Sequence, residues 1–146
     1  MADSRFVYVT YIRTTPEKLW QALTEPDFTR RFWFGCWQES EWKTGASWRI
    51  MFPDGRVADS GEILEIDPPR RLVLTWALPE DASPENNHSV VTFEIEPYAD
   101  CARIIITHDN LEPGSEMLRG ISEGWPKVIS SLKSLLEMGS PLPKLW

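Results

Sequence analysis

Cysteine, histidine and basic side chains are all scarce in this chain. Its two cysteines, Cys36 and Cys101, are too few and too far apart for a disulfide framework. Its two histidines, His88 and His108, stand twenty residues apart. With no HExxH and no CxxC there is no metal-binding spacing, and neither a metal nor a cofactor is expected. Lys and Arg number 15 against 22 Asp and Glu, a net charge of −7. That balance argues against nucleic acid, whose binding needs clustered cations, and against anionic membrane surfaces. No apolar run approaches the roughly 20 residues that span a bilayer. The opening MADSRFVYV lacks a basic region followed by a long apolar core, so no secretory leader is expected. No glycine-rich phosphate loop precedes a helix, and no GxSxG elbow occurs. A reducing, cytoplasmic setting is the simplest expectation.

What the chain does contain is an ordinary globular composition, 42% hydrophobic and 25% charged, with eight tryptophans in 146 residues. Such large flat side chains either line a pocket or fill a core. The length suits one domain spanning 1–146, with no linker and no internal repeat. Near the C-terminus, Met117, Ile121, Trp125, Val128, Leu132 and Leu135 recur at steps of three and four. That single apolar stripe predicts one helix from Ser115 to Met138, with Ser115 as its cap and Gly139 and Pro141 as its stop. At about 23 residues it would run roughly 34 Å, enough to cross a small sheet. Its first half is weakened by Gly120, Gly124 and the Trp125-Pro126 pair, which predicts a kink or loose turn near 122–126. A helix loosened at one end could roof a cavity. The alternative is close packing at the glycines and a kinked core helix.

Before this helix the pattern is mostly of strands. Phe6–Arg13 alternates, and Thr15-Pro16-Glu17 opens a short helix carrying Leu19, Trp20 and Leu23. A second helical piece holds Phe28, Phe32 and Trp33 and closes at Gly35. Strands are then expected over 37–43, 47–52, 56–66 (bulged near Gly61), 71–78, 89–96 and 101–108, joined by turns such as Pro53-Asp54-Gly55. Residues 79–88 read as an exposed polar loop. The order predicts an α+β domain: a curved antiparallel sheet of six to seven strands wrapped around the long helix, with two short helices after the first strand. Such a wrap leaves room for a cavity.

That order, with Thr15-Pro16-Glu17-Lys18-Leu19-Trp20-Gln21-Ala22-Leu23-Thr24, the run from Gly61 to Trp76, Thr107-His108 and Gly124-Trp125, resembles the START-like, helix-grip superfamily of birch-pollen-allergen-like and polyketide-cyclase-like proteins. Within it, the resemblance is to homologues of the activator of the 90-kilodalton heat-shock-protein ATPase, over about residues 5 to 138. It implies a helix-grip fold. It leaves activity open, because the superfamily holds lipid carriers, hormone receptors and cyclases. The name-giving activators resemble this chain in one domain only.

The candidate pocket follows from the alternation. Trp48, Ile50, Phe52, Leu74, Trp76, Phe93 and Ile106 are expected on the concave face, met by Met117, Ile121 and Trp125 from the helix. Trp33 and Phe34 would close one end. His108, at the end of an inward-facing strand edge, would orient a ligand or transfer a proton. The alternative is that these side chains touch one another and leave no void, with His108 satisfied internally. Glu62 and Glu65 are either solvated or, in a bulged strand, turned inward; Arg70 and Arg71 read as turn residues. Three functions are carried forward: binding of a small apolar or aromatic molecule, a protein-interaction module docking on a chaperone, and a cyclase- or hydrolase-like enzyme using His108. No nucleic acid or membrane partner is expected.

Overall fold

The computed structural model describes residues 4–78 and 89–145. The loop expected at 79–88, His88 and Trp146 lie outside them. The elements are β1 (Ser4–Ile12), α1 (Pro16–Thr24), α2 (Pro26–Phe32), β2 (Trp37–Ser40), β3 (Ser47–Met51), β4 (Val57–Asp67), β5 (Arg71–Trp76), β6 (Ser89–Tyr98), β7 (Cys101–Leu111) and α3 (Glu116–Met138). The seven strands form one antiparallel sheet in the order β1-β7-β6-β5-β4-β3-β2. Only the β1–β7 pair is not sequential, because the two short helices carry the chain from one edge to the other. The long helix lies along the concave face, and the fold is a helix-grip.

Local chemistry sets the element ends. The Thr15 hydroxyl accepts from the Lys18 amide and the Ser115 hydroxyl from the Leu118 amide, each at 3.1 Å, so both helices start on a side-chain cap. Pro26 marks the junction of α1 and α2. It occupies the first turn of α2, with Glu25 shared between the two helices, because a proline without an amide hydrogen costs nothing there. Gly139, at φ 83°, closes α3 in the left-handed conformation.

The sheet bends in β4. The strand is bulged near Gly61, as expected, though not at the glycine itself. Register shifts flank it instead, one between Ile50 and Met51 opposite the start of β4 and one between Ile63 and Glu65. Bulges increase local twist and bend the strand. Gly61 sits between them for another reason: a Cβ there would stand 1.9 Å from the Thr75 carbonyl oxygen. The β5 backbone crosses where a side chain would be, and the Thr75 hydroxyl accepts from the Glu62 amide at 2.8 Å. The expected strand 37–43 shortens to Trp37–Ser40, while β6 and β7 run longer than the alternation indicated.

The core has the expected alternation. Leu72, Leu74, Trp76, Val91, Phe93, Ile95, Ile104, Ile106 and His108 are buried on the inner face, facing Ile121, Trp125, Val128, Ile129, Leu132 and Leu135 of α3. Each aliphatic or Phe side chain among them contributes roughly 1.5–3 kcal/mol by leaving water. The helix runs unbroken through Pro126, with no loose turn at 122–126; burial of Trp125 and Val128 on either side holds it. The tail beyond Gly139 returns onto α3, where the Leu142 amide donates to the Ser131 hydroxyl at 3.2 Å.

Candidate functional site

Between the first half of α3 and the nearer end of the sheet lies a cavity of about 510 Å³, within the usual range for small-molecule sites. Seven residues expected at the pocket line it: Trp33, Ile50, Phe52, Trp76, Met117, Ile121 and Trp125. The other six do not. Trp48, Leu74, Phe93, Ile106 and His108 are buried in the core beside it, and Phe34 packs half-buried against that core in a left-handed conformation, φ 53°. The lining also takes in residues that pattern reading passed over. These are Cys36, Ala58, Asp59 and Leu78 from the sheet side, and Glu116, Gly120, Glu123, Gly124 and Lys127 from α3.

Alternation alone could not separate the two groups. It assigns a face, whereas the cavity occupies one end of that face. The signal that was present is the glycine pair in α3. Gly120 and Gly124 both border the void, and a Cβ built on either would meet no atom within 4 Å. Packing does not require glycine at these positions.

The wall is an aromatic cluster. Trp76 packs on Trp48 in a tilted arrangement with centroids 4.6 Å apart, and meets Trp125 edge-on at 5.3 Å. Trp33 meets Trp125 edge-on at 5.7 Å. Contacts of this geometry add about 0.5–1.5 kcal/mol each and fix the rings. The indole N–H groups then divide into two kinds. That of Trp48 donates to Gln38 Oε1 at 2.9 Å, and that of Trp125 to His108 Nδ1 at 3.1 Å. Trp33 and Trp76, each 6% exposed, have no acceptor among the described residues, and their nitrogens are not sealed from solvent. Both rings line the cavity.

His108 sits behind this wall, fully buried. An indole can only donate, so His108 Nδ1 must accept and the ring proton lies on Nε2. Nε2 stands 2.8 Å from Ser89 Oγ, whose hydroxyl donates onward to the Trp76 carbonyl at 2.6 Å. Every proton in this chain is assigned, and the ring is neutral. Burial pushes its pKa down from the ordinary 6.5 to about 3. Burial likewise pushes the Cys36 thiol up, which keeps it protonated near neutrality. Glu62 and Glu65 are exposed; Glu65 pairs with Arg71 at 3.6 Å, and Arg70 pairs with Asp67 at 2.8 Å. None of the four enters the cavity lining. Among the described residues no cluster of potential metal ligands occurs, and no helix is long and apolar enough to cross a membrane.

The fold and its end-on cavity define a helix-grip domain of the START-like kind. The chain belongs to the family described as "Activator of Hsp90 ATPase homolog 1-like protein", whose model matches residues 13–137. Among solved structures it is similar to protein MLL2253 of Mesorhizobium loti, at 28% identity and a TM-score of 0.76, covering 91% of this chain and 96% of that one. An HSP90 activator from Plasmodium falciparum matches at 23% identity and a TM-score of 0.74, covering 90% and 95%. CalU16 from Micromonospora echinospora matches at 18% and 0.73, covering 94% and 78%. The last two likenesses concern the fold alone. No match is found among curated proteins.

Proposed function

We propose that this protein binds a small, flat, apolar or aromatic molecule between the sheet and α3, with no cofactor. The observation that carries this reading is the pair Gly120 and Gly124. A glycine inside a helix costs about 1 kcal/mol relative to alanine, and here neither glycine makes room for a neighbouring atom. Both border the cavity. Burial of ligand surface against Trp33, Trp76 and Met117 would supply affinity, and the Trp33 and Trp76 N–H groups would orient an acceptor on the ligand. His108 and Trp125 serve each other instead. With both ring nitrogens engaged, His108 offers little to the enzyme reading.

The test is uptake of the apolar dye N-phenyl-1-naphthylamine, read by its fluorescence. Gly124→Leu places a side chain in open space and should weaken uptake at least tenfold while the circular dichroism spectrum stays native. Undiminished uptake by a folded Gly124→Leu protein would remove the cavity assignment.

A further inference from the structure

We propose that the cavity selects its ligand by a neutral oxygen that accepts hydrogen bonds and brings no hydrogen of its own: an aryl carbonyl, seated with its oxygen toward the indole N–H groups of Trp33 and Trp76. This deepens the binding reading above and rests on it.

Four indoles form the wall or stand beside it, and the fold treats them differently. Trp48 and Trp125 are supplied with acceptors, Gln38 Oε1 and His108 Nδ1. Trp33 and Trp76 have none among the described residues, although each is more than nine-tenths buried. A buried donor left unpaired forfeits its hydration without return, so folded chains keep such groups few. Neither nitrogen is sealed inside the protein, and both rings border the void. Both also meet the same neighbour edge-on, Trp125, at 5.7 and 5.3 Å. The two open donors therefore belong to one site and are held by one ring.

The rest of the buried lining points the same way. Its side chains that are nine-tenths or more buried are Trp33, Cys36, Ile50, Trp76, Ile121 and Trp125. The Trp125 donor is taken by His108. Cys36 keeps its proton, and a thiol sulfur is only a weak acceptor. The oxygen-bearing side chains of the lining, Asp59, Glu116 and Glu123, are half-buried or exposed. The buried part thus offers two strong donors and no strong side-chain acceptor. A ligand hydroxyl placed there would bring a hydrogen with no buried side-chain oxygen to receive it. A carbonyl oxygen brings none and has two lone pairs for N–H groups. The flat aromatic body that carries it packs on the same indoles.

Three probes of one shape separate this inference from the binding reading: 2-acetylnaphthalene, 1-(2-naphthyl)ethanol and 2-ethylnaphthalene, each held in a calorimeter cell while the protein is titrated in. The ketone should bind roughly tenfold more tightly than the hydrocarbon, with the alcohol between them. Equal affinity for ketone and hydrocarbon, or an alcohol as tight as the ketone, would overturn the selection and leave the cavity reading standing. Binding of none of the three would overturn both. In the doubly substituted Trp33→Phe, Trp76→Phe protein every probe loses the same ring area, so the ketone-to-hydrocarbon ratio reports the N–H groups alone. The ratio should fall to about threefold or less; an unchanged ratio would show that these N–H groups do not select. The wild type gives a readout that needs no variant. The ketone should move the Trp33 and Trp76 Nε1 proton resonances downfield, as a new hydrogen bond does, and the hydrocarbon should not. Resonances moved alike by the two probes would overturn the inference.

Discussion

His108 illustrates how a residue's partners decide its chemistry. A histidine at the end of an inward-facing strand is the most visible acid–base candidate in the chain, and its position was readable from alternation. Its partners were not. Trp125 and Ser89 approach from an element seventeen residues later and a strand nineteen residues earlier. Together they complete a chain of donors that leaves the ring neutral. The consequence is a pH dependence with a definite sign. The folded-state pKa, about 3, lies below the ordinary 6.5. Between those values the unfolded chain takes up a proton that the folded chain does not. The contribution is therefore fully present above about pH 6.5 and is lost as pH falls toward 3, amounting to a few kcal/mol. Denaturant melts of the wild type and of His108→Gln should show the wild-type advantage narrowing over that window. Parallel curves would mean that His108 does not carry it.

Among the elements, β4 and α3 show what pattern reading resolves and what it misses. The strand β4 was placed to within a residue at each end, because turn residues bound it on both sides. A bulge was expected near Gly61, and the register shifts fall on either side of that glycine. The glycine is required by the crossing of β5, a contact thirteen or more residues away that no local pattern encodes. Gly61→Ala should accordingly cost more than the roughly 1 kcal/mol typical of a glycine change. A loss of at least about 2 kcal/mol is expected from the displaced strand pairing, measured by chemical denaturation. A near-neutral result would contradict the crossing. In α3 the apolar stripe located the helix and its cap. The expectation of a kink or loose turn near 122–126 weighed local propensity alone, and the helix is continuous there. Burial of Trp125 and Val128 against the sheet outweighs the one backbone hydrogen bond that Pro126 cannot make.

At the scale of the whole molecule, the helix-grip architecture was legible because almost every strand alternates cleanly and the long helix carries a continuous stripe. The cavity was legible only in outline. Trp48 and Trp76 lie on the same inner face and touch each other, yet one fills the core and the other borders the void. The difference is one of position: Trp76 lies at the end of the face where Gly120 and Gly124 also border the void. Polar residues of the lining, such as Asp59 and Glu123, carry no signal in the sequence pattern. Only the folded arrangement gathers them.

The central claim, that an aromatic ligand enters beside Trp33 and Trp76, is tested most directly by nuclear magnetic resonance of the indole N–H groups. A 15N-labelled sample titrated with 2-naphthalenemethanol should shift the Nε1–H signals of Trp33 and Trp76 progressively and saturably. The signal of Trp48, whose N–H is held by Gln38, should stay nearly still. Movement confined to the partly exposed Trp20 and Trp42, or no movement at any indole up to the solubility of the probe, would contradict the account.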